Sequence, residues 1–98
     1  MRISVFGLGY VGAVTAACLA ELGHEVVGVD VSPEKVDAIN RGESPIVEEL
    51  IGELIAAMAA SGRLRATTDA AAAVAGTEIS LVCVGTPSER SGKPNLDY

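Results

Sequence analysis

Glycines near the start of this chain stand at the spacing of a site for a phosphate-bearing ligand. They form a G-x-G-x-x-G pattern, which reads Gly7-Leu8-Gly9-Tyr10-Val11-Gly12. Gly7 permits a tight turn, Gly9 lets a pyrophosphate approach the backbone, and Gly12 lets a helix pack closely on a strand. The unpaired N–H groups of Tyr10 and Val11, at the start of that helix, would face the anion.

An acidic side chain completes the pattern at the end of the next predicted strand. Asp30 directly follows the apolar run from Glu25 to Val29. A carboxylate at this place can accept both ribose hydroxyls of an adenosine and would repel a 2′-phosphate. Together with the glycines, Asp30 predicts binding of NAD rather than NADP. The alternative is a glycine-rich packing turn beside a solvated aspartate.

Two further polar residues could reach the same ligand. Lys35 begins the next predicted helix, on the adenosine side, although a solvated helix lysine has the same spacing. Thr86 lies in Gly85-Thr86-Pro87, after the last predicted strand, where open α/β sheets bind their ligands. It either donates to the cofactor or caps a turn.

The other reactive side chains are assigned structural roles. His24 has no partner at metal-ligand or triad spacing. Cys18 and Cys83 lie in apolar runs, so we expect both to be reduced core residues. The acidic cluster between residues 48 and 53 predicts a solvated helix face. We therefore expect neither a catalytic residue nor a metal site in this chain.

The elements that would position these residues alternate between strands and helices. Short apolar runs predict strands at 3–6, 25–29, 64–67 and 79–84. Helices are predicted from the glycine motif to Gly23, from Pro33 to about Asn40, over 47–58, and over 70–75. Ser32 and Asp69 are the expected N-caps of two of them. In the first helix, the predicted apolar face consists of Val11, Val14, Cys18 and Leu22, with Thr15 and Leu19 alongside. In the third helix, the predicted apolar face consists of Val47, Leu50, Ile51, Leu54, Ile55 and Met58.

This order predicts an α/β fold with a Rossmann-like parallel sheet. We expect about four strands in the order 3-2-1-4, with helices on both faces. A full fold of this class has six strands. Residues 1–98 are therefore expected to form an incomplete dinucleotide-binding domain, truncated before strands five and six, with the edge of strand four uncovered unless a partner supplies it.

The composition fits one small folded domain. The 98 residues are 49% apolar and 20% charged, which is typical of a chain that builds a core. The net charge is −6 and the basic residues are scattered along the sequence, so we expect neither nucleic acid nor a membrane surface as a partner. The uncharged stretch from Ile3 to Ala20 divides into a strand, a turn and a helix rather than a signal peptide. The expected compartment is the cytoplasm.

Longer segments carry a more specific signal than the glycine motif. They are Phe6-Gly-Leu-Gly-Tyr-Val-Gly12, Gly23-His-Glu-Val26, Gly28-Val-Asp-Val31, Ser44-Pro-Ile-Val-Glu48, Gly62-Arg-Leu64, Thr67-Thr-Asp69 and Cys83-Val-Gly-Thr-Pro-Ser88. Across essentially the whole chain, these segments resemble the N-terminus of the nucleotide-sugar 6-dehydrogenases, the UDP-glucose/GDP-mannose dehydrogenase family. The segments that begin at Ser44 and Cys83 favour the GDP-mannose dehydrogenases.

The resemblance implies an activity and a set of contacts. The activity is an NAD-dependent, four-electron oxidation of a sugar C6 alcohol to a carboxylate, in two hydride transfers through a cysteine-bound intermediate, with products that feed polysaccharide synthesis. The NAD contacts of the family match Tyr10, Val11, Asp30, Lys35 and Thr86. Its nucleophilic cysteine and sugar-binding domain have no counterpart here. The resemblance therefore implies that the sugar nucleotide binds only in a full-length, homo-oligomeric protein and that this chain alone is inactive.

The chain departs from the family's sequence pattern at one place, and two alternative functions stay open. Relatives read Glu-Pro-Gly after Ser-Pro-Ile-x, whereas this chain has Glu48-Glu49-Leu50, which puts the start of the third helix in question. The first alternative is a stand-alone NAD-binding or sensing module without catalysis. The second is the N-terminus of a β-hydroxyacid or 6-phosphogluconate dehydrogenase, whose fourth strand lacks the Val-Gly-Thr-Pro ending.

Overall fold

A computed structural model describes residues 1–44 and 49–83, and it confirms the predicted order of elements. The elements are β1 (Arg2–Phe6), α1 (Tyr10–Glu21), β2 (Glu25–Val29), α2 (Pro33–Asn40), α3 (Glu49–Ser61), β3 (Leu64–Thr67), α4 (Ala70–Ala75) and β4 (Ile79–Val82). Strand β4 ends earlier than predicted. Cys83 makes the last described bond to β1, donating its N–H to the Phe6 carbonyl at 2.7 Å, and β1 ends at Phe6.

The four strands form one parallel sheet in the predicted order β3-β2-β1-β4. Alternate residues of each strand face opposite sides of the sheet. Ile3 and Val5 of β1 pack with residues of α1, α2 and α3 in the larger core cluster. Phe6 packs with Val27, Val29 and Ala73 of α4 in a smaller cluster on the other side. The prediction of helices on both faces is therefore confirmed.

Helix α1 buries a different face from the predicted one. Its buried residues are all small: Gly12, Ala13, Ala16, Ala17 and Ala20. Val11 and Leu22 are 62% and 74% exposed, and Cys18 is exposed, so their assignment to the core is wrong. Leu19 packs against the larger core, as predicted. At Gly12 the helix lies directly against the backbone of Gly7 in the turn after β1, and the small buried residues that follow suit a helix that approaches so closely.

Helix α3 follows its predicted periodicity more closely. Ile55 is fully buried, and Ile51, Leu54 and Met58 pack against the larger core. Leu50 is 74% exposed, so its predicted place in the core is wrong. The predicted positions from 45 to 48 lie outside the described residues. No helix in the described part of the chain is long and apolar enough to cross a membrane.

Helices α2 and α4 begin at the predicted caps. The Ser32 hydroxyl accepts the N–H of Lys35 at 3.4 Å, and Pro33 occupies the first turn of α2. The Asp69 carboxylate accepts the N–H of Ala72 at 3.0 Å. These bonds satisfy backbone donors that have no acceptor within the helix.

The side chain of Asn40, at the end of α2, covers the open edge of β3. Alternate residues of β3 bond to β2, whereas the N–H and carbonyl of Ala66 point away from it. The Asn40 amide oxygen accepts the Ala66 N–H at 2.9 Å, and its amide nitrogen donates to the Ala66 carbonyl at 3.0 Å. Both edge groups are thus satisfied without a further strand.

Replacing Asn40 with alanine removes both of these bonds. We expect the Asn40→Ala variant to lose about 1–2 kcal/mol of unfolding free energy, measured by urea denaturation. Asp37→Ala is the matched control, because Asp37 is exposed on the same helix and its substitution changes helix propensity in the same direction. An Asn40→Ala variant as stable as the control would contradict the role of Asn40 at this edge.

Candidate functional site

The glycine motif forms a tight turn between β1 and α1. Gly7 has a φ of +97°, in the region that favours glycine, and donates its N–H to the Val29 carbonyl at 2.8 Å. A Cβ on Gly12 would overlap the carbonyl oxygen of Gly7. The turn and the helix therefore contact each other through backbone atoms alone, as the spacing predicts.

The start of α1 presents free N–H groups above this turn. The first helical hydrogen bond runs from the Ala13 N–H to the Gly9 carbonyl at 2.9 Å, so the N–H groups of residues 10–12 have no acceptor within the helix. A Cβ on Gly9 would have no atom within 4 Å. This space beside the positive end of a helix suits an anion.

The Asp30 carboxylate joins the end of β2 to the glycine turn. One of its oxygens accepts the Leu8 N–H at 2.7 Å, and the other accepts the Ser32 N–H at 2.9 Å. Each oxygen keeps a further lone pair that can accept a hydroxyl donor. Both partners are backbone groups, so the carboxylate is held in position by the fold itself.

The surroundings of Asp30 favour its charged form. Partial burial raises the pKa of the carboxyl, but the N–H groups of Leu8 and Ser32 and the positive charge of Lys35 lower it by more. The pKa therefore lies below its ordinary value of 3.8. At neutral pH the group is a carboxylate, which accepts hydroxyl donors and repels a phosphate.

Two adjoining cavities surround this carboxylate. The larger, of about 420 Å³, is called the glycine cleft here and is lined by Gly7, Gly9, Tyr10, Val11, Asp30, Lys35 and Cys83. The smaller, of about 210 Å³, shares Gly7 and Asp30 and is otherwise lined by Phe6, Val29, Val31, Thr68 and Ala70. Val31 is 94% exposed. A flat aromatic group in the smaller cavity would cover this apolar side chain.

The structure brings most of the predicted site residues together. Six of them line the glycine cleft: Gly7, Gly9, Tyr10, Val11, Asp30 and Lys35. Gly12 lies beneath the cleft, against the carbonyl of Gly7. Thr86 lies outside the described residues, so its predicted contact stays a prediction.

The two cysteines, both predicted to be core residues, lie in different surroundings. Cys18 is exposed on α1, and Cys83 is half-buried and lines the glycine cleft. The core assignment is therefore wrong for Cys18, whereas Cys83 packs against the larger core cluster, so its predicted place is confirmed in part. Cys83 follows the last residue of β4, at the end of the sheet where the cleft opens, and its Cβ would lie 3.5 Å from a Cβ on Gly12.

Two residues without a predicted role in the site, Leu8 and Gly28, shape it. Leu8 occupies a variable position of the motif, yet its N–H binds Asp30 and its side chain is fully buried. Gly28, inside β2, makes room for it, because a Cβ on Gly28 would lie 2.7 Å from Cδ2 of Leu8. A glycine within a strand indicates such a close approach, so this signal was present in the sequence.

These features fit the adenosine diphosphate half of a dinucleotide. The open space at Gly9 and the free N–H groups of Tyr10 and Val11 suit a pyrophosphate. The fixed carboxylate of Asp30 suits the ribose hydroxyls. The residues present can therefore hold the cofactor that the sequence predicts.

Comparison with known proteins also indicates a domain that binds NAD. Residues 1–98 match the UDP-glucose/GDP-mannose dehydrogenase family, NAD binding domain. The chain is 61% identical over 98 residues to the GDP-mannose 6-dehydrogenase of Azotobacter vinelandii, covering 100% of this chain and 22% of that protein. It is 43% identical over 99 residues to the UDP-glucose 6-dehydrogenase of Rhizobium meliloti, covering 100% of this chain and 23% of that protein.

A solved structure shares the fold. The crystal structure of a ternary complex of GDP-mannose dehydrogenase from Pseudomonas aeruginosa matches with a TM-score of 0.91 at 55% identity, covering 100% of this chain and 22% of that one. This match confirms the predicted arrangement of strands and helices. The chain spans about a fifth of the length of these relatives.

Replacing Gly12 or Gly9 with alanine separates the effect on protein stability from the effect on NAD binding. In Gly12→Ala the added methyl meets the Gly7 backbone, and we expect a loss of about 2–3 kcal/mol of unfolding free energy. In Gly9→Ala, at a φ of −77°, the methyl enters open space, so stability should change by less than about 0.5 kcal/mol. The Kd for NAD should nevertheless rise about tenfold or more, because the methyl occupies the space for the pyrophosphate.

Urea denaturation and calorimetric titration with NAD measure these two effects. The Gly9→Ala variant acts as the stability control for Gly12→Ala, since both make the same chemical change in the glycine motif. Unchanged NAD affinity in a folded Gly9→Ala variant would contradict the placement of the pyrophosphate.

Neutralising Asp30 tests the charge at the end of β2. The pKa of Asp30 is lower in the folded protein than its ordinary value of 3.8. The carboxylate therefore stabilises the fold fully at pH values above 3.8, and this stabilisation is lost as the pH falls through the lowered pKa. We expect Asp30→Asn to be less stable than the wild type at neutral pH, because an amide oxygen replaces only one of the two acceptors. Urea denaturation at neutral pH and at about pH 3 should show this difference shrinking in acid.

Asp37→Asn is the control for this measurement, since it removes an exposed carboxylate from α2. A difference between wild type and Asp30→Asn that stays the same, or grows, in acid would contradict the lowered pKa.

Proposed function

Because the chain belongs to the UDP-glucose/GDP-mannose dehydrogenase family, we propose that its glycine cleft binds NAD for the oxidation of a nucleotide sugar by a longer protein. The proposed reaction takes the C6 alcohol of the sugar to a carboxylate in two NAD-dependent steps. Membership of this family argues against the alternative that the chain is the N-terminus of a β-hydroxyacid or 6-phosphogluconate dehydrogenase. The chain contributes the cofactor half of the site, and the sugar-binding part lies elsewhere in the longer protein.

One observation carries this proposal above the others. The ionised carboxylate of Asp30 is fixed by two backbone N–H groups at the rim of an open glycine turn. In this position it can accept the hydroxyls of an adenosine ribose, and its charge disfavours the 2′-phosphate that distinguishes NADP. A solvated aspartate beside a packing turn would need neither bond.

The other cleft residues have supporting roles in the proposal. The N–H groups of Tyr10 and Val11 bind the pyrophosphate, and Gly9 leaves room for it. The positive charge of Lys35, which acts on Asp30, also attracts the phosphates. Thr86 is proposed as a further donor to the cofactor, on the basis of its place after the last predicted strand.

When bound, NAD supplies the hydride acceptor for the sugar carbon. The chain's own contribution is to bind and orient the cofactor, and we assign no catalytic role to Cys83 or to another described residue of the cleft. We propose that these 98 residues alone do not oxidise a sugar nucleotide.

The proposed substrate is GDP-mannose. The support is the higher identity to the GDP-mannose 6-dehydrogenase, 61%, than to the UDP-glucose 6-dehydrogenase, 43%. Self-association of the longer protein is part of the same proposal.

Calorimetric titration of the chain with NAD and with NADP tests the cofactor assignment. We expect NAD to bind more tightly than NADP, and Asp30→Ala to weaken NAD binding about tenfold or more, because it removes the ribose acceptor and releases the glycine turn. Asp37→Ala, which removes an exposed carboxylate of α2, should bind NAD as the wild type does. Tighter binding of NADP, or unchanged NAD affinity in Asp30→Ala, would overturn the assignment.

The same preparation tests the proposal that the sugar-binding part of the site lies outside these 98 residues. With NAD and GDP-mannose or UDP-glucose, the chain should form no NADH by absorbance, whereas the longer protein should form it with GDP-mannose. NADH formation by the chain alone would contradict the proposal that the sugar site lies elsewhere.

A further inference from the structure

The fold gathers three arginines that are distant in the sequence around one cavity. Arg2 begins β1, Arg63 directly precedes β3, and Arg65 lies within β3. Strands β1, β2 and β3 are parallel and in register, so their amino ends lie side by side. The resulting cavity of about 180 Å³, called the arginine cavity here, is lined by Arg2, Glu25, Val26, Val27, Gly62, Arg63, Arg65, Gly76 and Thr77.

The arginine cavity is far from the glycine cleft along the strands. The cleft lies at the carboxyl ends of β1 and β2, where Gly7 and Asp30 follow the last strand residues. The arginine cavity lies at the amino ends of the same strands. A ligand in one therefore leaves the other open.

The charge of this cavity is unusual for the chain. The protein carries a net charge of −6, yet the charged residues that line the cavity are three arginines and one glutamate, Glu25. Across residues 1–44 and 49–83, the ion pair within 4.0 Å is Arg41–Glu43, at 3.3 Å, and none of the three arginines forms one. Glu78 is nearby as well: its carboxylate accepts the backbone N–H of Arg2 at 2.9 Å, and this bond together with the charge of Arg2 lowers the pKa of Glu78.

Arg63 and Arg65 are two residues apart and both line the arginine cavity. Arg65 lies in β3, whereas Arg63 lies at the bend just before this strand. Val27, the β2 partner of Arg65, belongs to the cluster that packs against α4, so Arg65 is on the α4 side of the sheet. Two guanidinium groups in one cavity, without a carboxylate within ion-pair distance among the described residues, repel each other unless an anion lies between them.

A second cavity continues the first along this face. It has a volume of about 320 Å³ and shares Val27, Arg65, Gly76 and Thr77 with the arginine cavity. Its other lining residues, Ala66, Thr67, Ala72 and Ala73, are small or carry a hydroxyl. The two cavities together thus have a cationic end and a neutral end.

From this arrangement we infer that the arginine cavity and its extension bind a small phosphate ester. The phosphate lies between Arg63 and Arg65, with Arg2 beside them, and the organic part lies against α4. Guanidinium groups match the oxygens of a phosphate in charge and geometry and hold it through paired hydrogen bonds. The volumes suit a ligand of metabolite size rather than a macromolecule.

Amide NMR of the labelled chain tests this inference at constant ionic strength and with NAD present in excess. The probes are inorganic phosphate and a hexose phosphate, with the unphosphorylated hexose as a control. We expect saturable shifts of the amides of Gly62, Arg63, Gly76 and Thr77. The hexose phosphate should bind more tightly than inorganic phosphate, and the hexose alone should cause no shift.

Two arginine variants make the test specific. Arg65→Gln should weaken binding of the hexose phosphate about tenfold, because it removes a guanidinium that lines both cavities. Arg41→Gln is the matched control, since Arg41 is an exposed arginine paired with Glu43 and its removal changes the net charge equally. This control should bind as the wild type does. Arg65 is exposed, so its replacement should leave the amide spectrum otherwise unchanged.

Three results would overturn the inference. The first is the absence of saturable shifts at these amides, and the second is an equal loss of affinity in both variants, which would indicate general charge attraction. The third is equal affinity for inorganic and hexose phosphate, which would remove the role of the second cavity. The amides of residues 9–11 report NAD binding separately, so failure of the cofactor proposal would be distinguished from failure of this one.

Discussion

The site depends on one short hydrogen bond, from the Leu8 N–H to the Asp30 carboxylate at 2.7 Å. It ties the glycine turn to the end of β2, beside the bond from the Gly7 N–H to the Val29 carbonyl. The carboxylate that shapes the turn is also the group that we propose to accept the ribose hydroxyls. Structure and recognition are therefore coupled, and a change at Asp30 alters the shape of the turn as well as its chemistry.

Close packing beneath the turn imposes a second constraint on the sequence. Gly12 touches the Gly7 carbonyl through backbone atoms, and the alanines of α1 continue this contact along the sheet. Larger side chains are displaced outward, which leaves Val11 at the rim of the glycine cleft with 62% of its surface exposed. The distance between helix and sheet thus fixes both the core composition and the apolar rim of the site.

Local patterns predict much of this structure. The element order, the strand order, the caps at Ser32 and Asp69, and six residues of the cleft follow from turn chemistry, periodicity and motif spacing. The buried face of α1 does not follow from these patterns. Apolar periodicity predicts that the large side chains are buried, whereas the residues buried where α1 packs closely are glycine and alanine. The place of Cys83 and the gathering of Arg2 with Arg65 depend on strand register, which a single segment does not encode.

The most direct measurement of the central claim is a crystal structure of the chain with NAD. We expect the Asp30 carboxylate to contact the adenosine ribose while keeping its bond to the Leu8 N–H, and the pyrophosphate to lie over Gly9 at the start of α1. An NAD molecule bound elsewhere, or a glycine turn that detaches from Asp30 on binding, would contradict the claim that the fold itself builds the cofactor site.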